Sequence, residues 1–65
     1  MIKVSRLRAQ DKALVLNAEL IETIEETPDT VITLHTGKKL IVEESMDEVL
    51  RRVIEYKRAI FSKML

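Results

Sequence analysis

The chain has 65 residues, no cysteine and a single histidine, His35. That length allows one domain at most, with a core worth on the order of 3–5 kcal/mol net, and the lack of cysteine and of a second histidine excludes disulfides and thiolate or imidazole-rich metal sites as supplements. Formal net charge is zero, with 46% apolar and 34% charged residues. This composition is too apolar for a disordered chain and lacks the electrostatic drive toward nucleic acid or an anionic membrane.

Ile2 to Leu7 alternates, with Ile2 and Val4 on one side and Lys3 and Ser5 on the other, which predicts a strand over about 2–7. Arg8-Ala9-Gln10-Asp11-Lys12 reads as a polar connection, Ala13 to Asn17 as a short apolar strand, and Asn17-Ala18-Glu19 as a turn. Over 20–26 the apolar residues Ile21 and Ile24 fall on opposite parities, so a bulge or a local helical turn is expected near Leu20. Thr27-Pro28-Asp29-Thr30 predicts a type I turn with proline second. Val31 to Thr36 is dense in β-branched residues and predicts a strand over 30–36. Gly37 suits a tight hairpin returning over 39–43, with Leu40 and Val42 on one face.

Ser45-Met46-Asp47-Glu48 fits a capping box, in which the Ser45 oxygen accepts from the Glu48 amide and the Glu48 carboxylate returns to the Ser45 amide. Apolar residues then recur at three- and four-residue spacing from Met46 to Met64, predicting an amphipathic helix over about 46–63. Asp47–Arg51 and Glu48–Arg52 are i,i+4 pairs in the favourable acid-first order. The expected fold is therefore α+β in a single domain, 1–65. Four to five short strands in residues 1–44 form an antiparallel sheet or partly closed barrel, followed by a C-terminal helix within 45–65.

Two features predict that this surface is unfinished in a lone copy. The strands are apolar on both parities, with Val15, Val31 and Ile41 opposite the principal apolar set. One helix covers only one sheet face, so the other needs barrel curvature or a second chain. The helix, roughly 27 Å long at about 1.5 Å per residue, also exceeds strands of roughly 17–20 Å. Tyr56, Ile60, Phe61 and Met64 are therefore expected to overhang as part of an interaction surface. Self-association is the remaining supplement for the small core, and a homo-oligomer is expected.

Charge is segregated along the chain. Residues 1–12 carry Lys3, Arg6, Arg8 and Lys12 against Asp11, residues 17–30 carry Glu19, Glu22, Glu25, Glu26 and Asp29 without a base, and the helix is basic again. Neighbouring strands neutralising one another account for this, as does steering between copies or onto a partner.

No catalytic constellation is visible. His35 has no cysteine, serine or second histidine at motif spacing, and Ser5, Ser45 and Ser62 lack a base. The carboxylates Glu22, Glu25, Glu26, Asp29, Glu43 and Glu44 read as a solvated face, because acid–base work needs a desolvating cleft. Gly37-Lys38-Lys39 lacks the strand-to-helix setting of a phosphate loop. No enzyme, metal or cofactor is expected. No apolar run approaches the roughly 18 residues of a spanning helix, and the N-terminus has no apolar leader segment, so a cytoplasmic location without membrane insertion is expected. The sole aromatics, Tyr56 and Phe61, lie on the helix rather than on a base-stacking strand surface.

The string Met1-Ile2-x-Val4-x-Arg6-Leu7, followed by Leu16 to Glu22, Ile24-Glu25-x-x-Pro28-Asp29-Thr30-Val31-Ile32-x-Leu34, Thr36-Gly37-Lys38-Lys39 and Val42-x-Glu44-Ser45, resembles the FlbD family of short flagellar proteins. That family includes the swarming protein SwrD. The likeness continues through Val53-Ile54-Glu55-Tyr56-Lys57-Arg58 and spans nearly the whole chain. It departs after the first strand, where the family's Leu-Asn-Gly is Leu7-Arg8-Ala9, so a looser first hairpin is expected. The resemblance implies a non-catalytic accessory protein that supports motor output or swarming. Its implied partner is a flagellar motor or membrane-associated flagellar protein, at the periphery of the basal body. The alternative is a small nucleic-acid-binding regulator of flagellar gene expression, using the basic edge of Lys3, Arg6, Arg8 and Lys12.

Overall fold

The computed structural model describes residues 1–64 and contains five strands, a 3₁₀ turn and one helix. The strands are β1 (Ile2–Ser5), β2 (Ala13–Leu16), β3 (Ile21–Glu26), β4 (Thr30–Leu34) and β5 (Lys39–Val42), and the helix is α1 (Met46–Met64). Leu65, within the expected helical segment, lies outside the described residues. The α+β class and the antiparallel pairing match the sequence reading.

All pairings are antiparallel, in two sheets ordered β1-β2 and β3-β4-β5. The sheets meet where Arg6 bridges Val42, with the Leu7 amide donating to the Ile41 carbonyl at 3.0 Å and the Glu43 amide to the Ser5 carbonyl at 2.8 Å. β1 and β5 thus lie side by side although more than thirty residues separate them, and the strands curve around one apolar interior. That interior holds Ile2, Val4, Leu16, Ile32, Leu34 and Val42 from the strands, Ala18 from the 3₁₀ turn and Val49 from the helix. The helix packs on β1 and β3.

The irregularity expected near Leu20 is both a 3₁₀ turn over Ala18–Leu20 and a register shift between Ile21 and Thr23. The turn is capped by Asn17, whose side-chain oxygen accepts from the Glu19 amide at 3.0 Å. The register shift lets Ile21 and Ile24 both reach the core, despite their opposite parities. Strand β4 ends at Leu34 rather than Thr36, leaving His35 exposed with its amide donating to the Leu20 carbonyl at 2.9 Å. Gly37 occupies the left-handed region at φ 88°, as the hairpin requires. In place of the expected type I turn, the loop at 27–29 has a cis Thr27–Pro28 peptide, and its Thr27 amide donates to the Asp29 carbonyl at 3.1 Å.

Residues 6–12 form the open first hairpin, closed by the Arg6 amide on the Lys12 carbonyl at 2.7 Å. Arg8 lies there at φ 61°, a left-handed conformation that disfavours a side chain with a Cβ. Arg8→Gly is expected to raise stability by about 0.5–1 kcal/mol, after allowing for the extra chain entropy glycine loses. Thermal unfolding checks this, and an unchanged or lower midpoint would mean that the arginine side chain contributes more than its backbone costs.

Candidate interaction surface

One half of the expected capping box forms. The Glu48 amide donates to Ser45 Oγ at 3.1 Å, but the Glu48 carboxylate turns to Arg51 and Arg52 instead of the Ser45 amide. Arg51 pairs with Glu48 and Glu55 rather than Asp47, whereas the Glu48–Arg52 pair forms as expected, at 2.7 Å. Hydrogen bonds from Arg51 first and Arg52 second hold the Glu48 carboxyl down at about 2. The Glu26 carboxylate reaches the helix start and accepts the Met46 amide at 3.1 Å, where the helix dipole favours an anion.

Arg52 joins the helix to the sheets. Its guanidinium donates to the Lys3 carbonyl at 2.7 Å and to Glu44 at 3.1 Å, besides Glu48. The other Glu44 oxygen accepts the Ser5 amide at 2.9 Å. Burial opposes ionisation of Glu44, but the bonds from Ser5 and Arg52 outweigh it and hold the carboxyl below its ordinary range. These groups anchor α1 across β1 and so direct the far end of the helix away from the sheets.

Past Tyr56 every described helix residue is exposed, which leaves two turns projecting beyond the sheets. Phe61 is 65% exposed and Met64 78%, with Ile60 less so. Tyr56 corrects the sequence expectation: it is partly buried against the core and marks the last turn in contact rather than the start of the overhang. At about 100° per residue, the core-facing flank carries Val49, Val53 and Tyr56. The opposite flank of the apolar arc carries Leu50, Ile54 and Phe61, all exposed. Leu50 and Ile54 therefore belong to the uncovered surface, although the apolar periodicity alone assigns them to the helix's buried stripe. Their spacing of i, i+4 and i+11 with Phe61 is the signal that identifies them.

On the outer sheet face, Val31 pairs with Ile41 on one side and Glu25 on the other, and Ile41 adjoins Leu7. Ile41 is exposed, while Val31 and Leu7 are half-buried. Leu7 joins this row because β1 continues past Ser5 to bridge β5, a pairing between distant segments that no local pattern signals. Val15 is exposed but stands opposite Lys3, about 13 Å from the row at roughly 3.3 Å per residue along β1. The structure therefore brings Val31 and Ile41 together, and leaves Val15 and the helix overhang as separate places.

Two grooves flank these surfaces. One, of ≈ 300 Å³, runs between α1 and β3 and is lined by Ile21, Glu22, Ile24, Leu50, Val53 and Lys57, among others. The other, of ≈ 400 Å³, is lined by Leu14, Leu16, Leu34 and Leu40 with Arg6 and Lys38. Among the described residues, no helix is long and apolar enough to cross a membrane, and no group of His, Asp and Glu side chains is arranged to hold a metal ion.

The sequence model of the FlbD family, described as flagellar and swarming motility proteins, covers residues 1–61. No curated protein and no solved structure matches the chain.

Proposed function

Because the chain belongs to the FlbD family of flagellar and swarming motility proteins, we propose that it supports motility as a non-enzymatic cytoplasmic accessory, acting by protein–protein contact as a homo-oligomer. Its partner in this reading is a motor component or a membrane-associated flagellar protein, met at the periphery of the basal body. The observation that carries the reading is the amount of apolar surface left uncovered in one copy: Leu50, Ile54, Phe61 and Met64 on the helix, and Ile41 on the outer sheet face. So many large apolar side chains at regular spacing mark an interaction site rather than ordinary surface scatter.

The test is a complementation assay in a flagellated host lacking the gene. Wild-type protein is expected to restore swarming. Ile41→Asp is expected to fail while remaining folded, since an exposed substitution changes stability by only about 0.5 kcal/mol. Undiminished swarming in the deletion strain would overturn the reading.

A further inference from the structure

The basic end of the helix and the acidic strand are arranged to meet in a second copy of the chain. After Glu55 the helix carries Lys57, Arg58 and Lys63 with no described acid. Strand β3 runs back along the helix: Glu26 accepts the Met46 amide, while Glu22 lines the same groove as Lys57. Among the described residues, no ion pair uses Glu22, Glu25, Lys57, Arg58 or Lys63. Between the two charged regions runs the exposed stripe of Leu50, Ile54 and Phe61.

We propose that α1 packs antiparallel against α1 of a second copy, about a two-fold axis near Glu55 and Tyr56. Leu50 then lies opposite Phe61 of the second copy, and Ile54 beside its Lys57. The lengths agree. The overhang from Lys57 to Met64 is about 12 Å long at roughly 1.5 Å per residue, and in this register it covers residues 47–54 of the other helix. Each overhang thus closes the groove between α1 and β3 of its partner copy, seating Phe61 on Leu50 and the apolar wall formed by Ile21 and Ile24. Arg58 comes to Glu22 of the second copy, which lines that groove. The two-fold makes the arrangement self-complementary, since every contact occurs twice.

Charge decides the direction of pairing. A parallel pair would set Lys57, Arg58 and Lys63 against their own copies, and like charges in juxtaposition disfavour it. A basic amphipathic helix also suits an anionic bilayer, but here Glu22 beside the stripe would be repelled by the lipid surface. A second copy satisfies both charged regions at once. This inference rests on the self-association in the function proposed above and adds its geometry; it leaves the outer sheet row of Leu7, Val31 and Ile41 free for the flagellar partner.

Sedimentation of the full chain tests it directly. The wild type is expected to be a dimer at low salt and to weaken as salt rises. Arg58→Glu is expected to weaken dimerisation about tenfold, the equivalent of about 1.4 kcal/mol, and adding Glu22→Lys to the same chain to restore it. The chain has no native cysteine, so mixing a Leu50→Cys chain with a Phe61→Cys chain under oxidation is expected to give the mixed cross-linked dimer in preference to either homodimer. Circular dichroism on each variant separates loss of pairing from loss of fold. A monomeric wild type overturns the inference, whether or not it binds vesicles containing phosphatidylglycerol, and so does a cross-link favouring either homodimer or the absence of rescue in the charge-swapped chain. A correct dimer that fails to support swarming would instead count against the proposed function alone.

Discussion

Ile32→Ala is expected to leave the chain largely unfolded at room temperature. Ile32 is fully buried at the centre of β4, paired with Ile24 on one side and Leu40 on the other. Truncating such a residue removes its transfer free energy and leaves a cavity, together about 2–5 kcal/mol. A larger domain absorbs that loss. Here it equals most of the roughly 3–5 kcal/mol that a core of this size supplies. Val15→Ala is the matched control: its side chain is 62% exposed, and the expected cost is about 0.5 kcal/mol or less. Urea unfolding at several protein concentrations measures both, because a self-associating chain gains stability by mass action. Similar unfolding midpoints for the two variants would mean that the interior is not closed around β4.

The second large effect is expected at Arg52. Arg52→Met removes the donor to the Lys3 carbonyl and to Glu44, and leaves Glu44, 11% exposed, with only the Ser5 amide. The loss is about 1–2 kcal/mol, toward the low end for a charged hydrogen-bond network because the guanidinium is 31% exposed and water replaces part of its solvation. The pH dependence carries the same signature. Glu44 and Glu48 are both held below the ordinary carboxyl value of 4.5 in the folded chain. Their contribution is therefore complete above that value and is lost as pH falls, through about 2 in the case of Glu48. Wild-type stability should decline below pH 4.5, and Arg52→Met should flatten the decline. Parallel pH profiles for the two proteins would show that Arg52 does not set the ionisation of these carboxylates.

The elements that proved legible are those whose cause lies within a few residues. The β-branched run at Val31–Leu34, the glycine at Gly37 and the serine at Ser45 each dictate a local conformation, and each forms where expected. The apolar periodicity of the helix is equally local, and so is its excess length over the strands. The candidate surface was legible to the extent that it follows from these. Phe61 and Met64 project because a nineteen-residue helix outruns the sheets it packs on. Periodicity does not separate the exposed Leu50 and Ile54 from the buried helix residues, because it reports an apolar arc, not how much of that arc the neighbouring elements cover.

Competition among partners distant in the chain settled the rest. Glu48 had the Ser45 amide or two arginines within reach, and the guanidiniums prevailed because they bring full positive charges and several donors to the carboxylate, where the amide brings one neutral donor. Tyr56 meets the core instead of starting the overhang, since where the sheets end depends on how β1 and β3 lie against the helix. Leu7 joined Ile41 and Val31 only because β1 crosses to β5 at the Arg6–Val42 bridge.

By itself, then, the sequence determined the class of fold, the order of its elements and the presence of surplus apolar surface, because backbone preference and hydrophobic period act between near neighbours. The tertiary structure alone decided which of those apolar side chains stay exposed and which charges find partners. Both depend on strand register and helix placement, which are set by contacts between residues far apart in the chain.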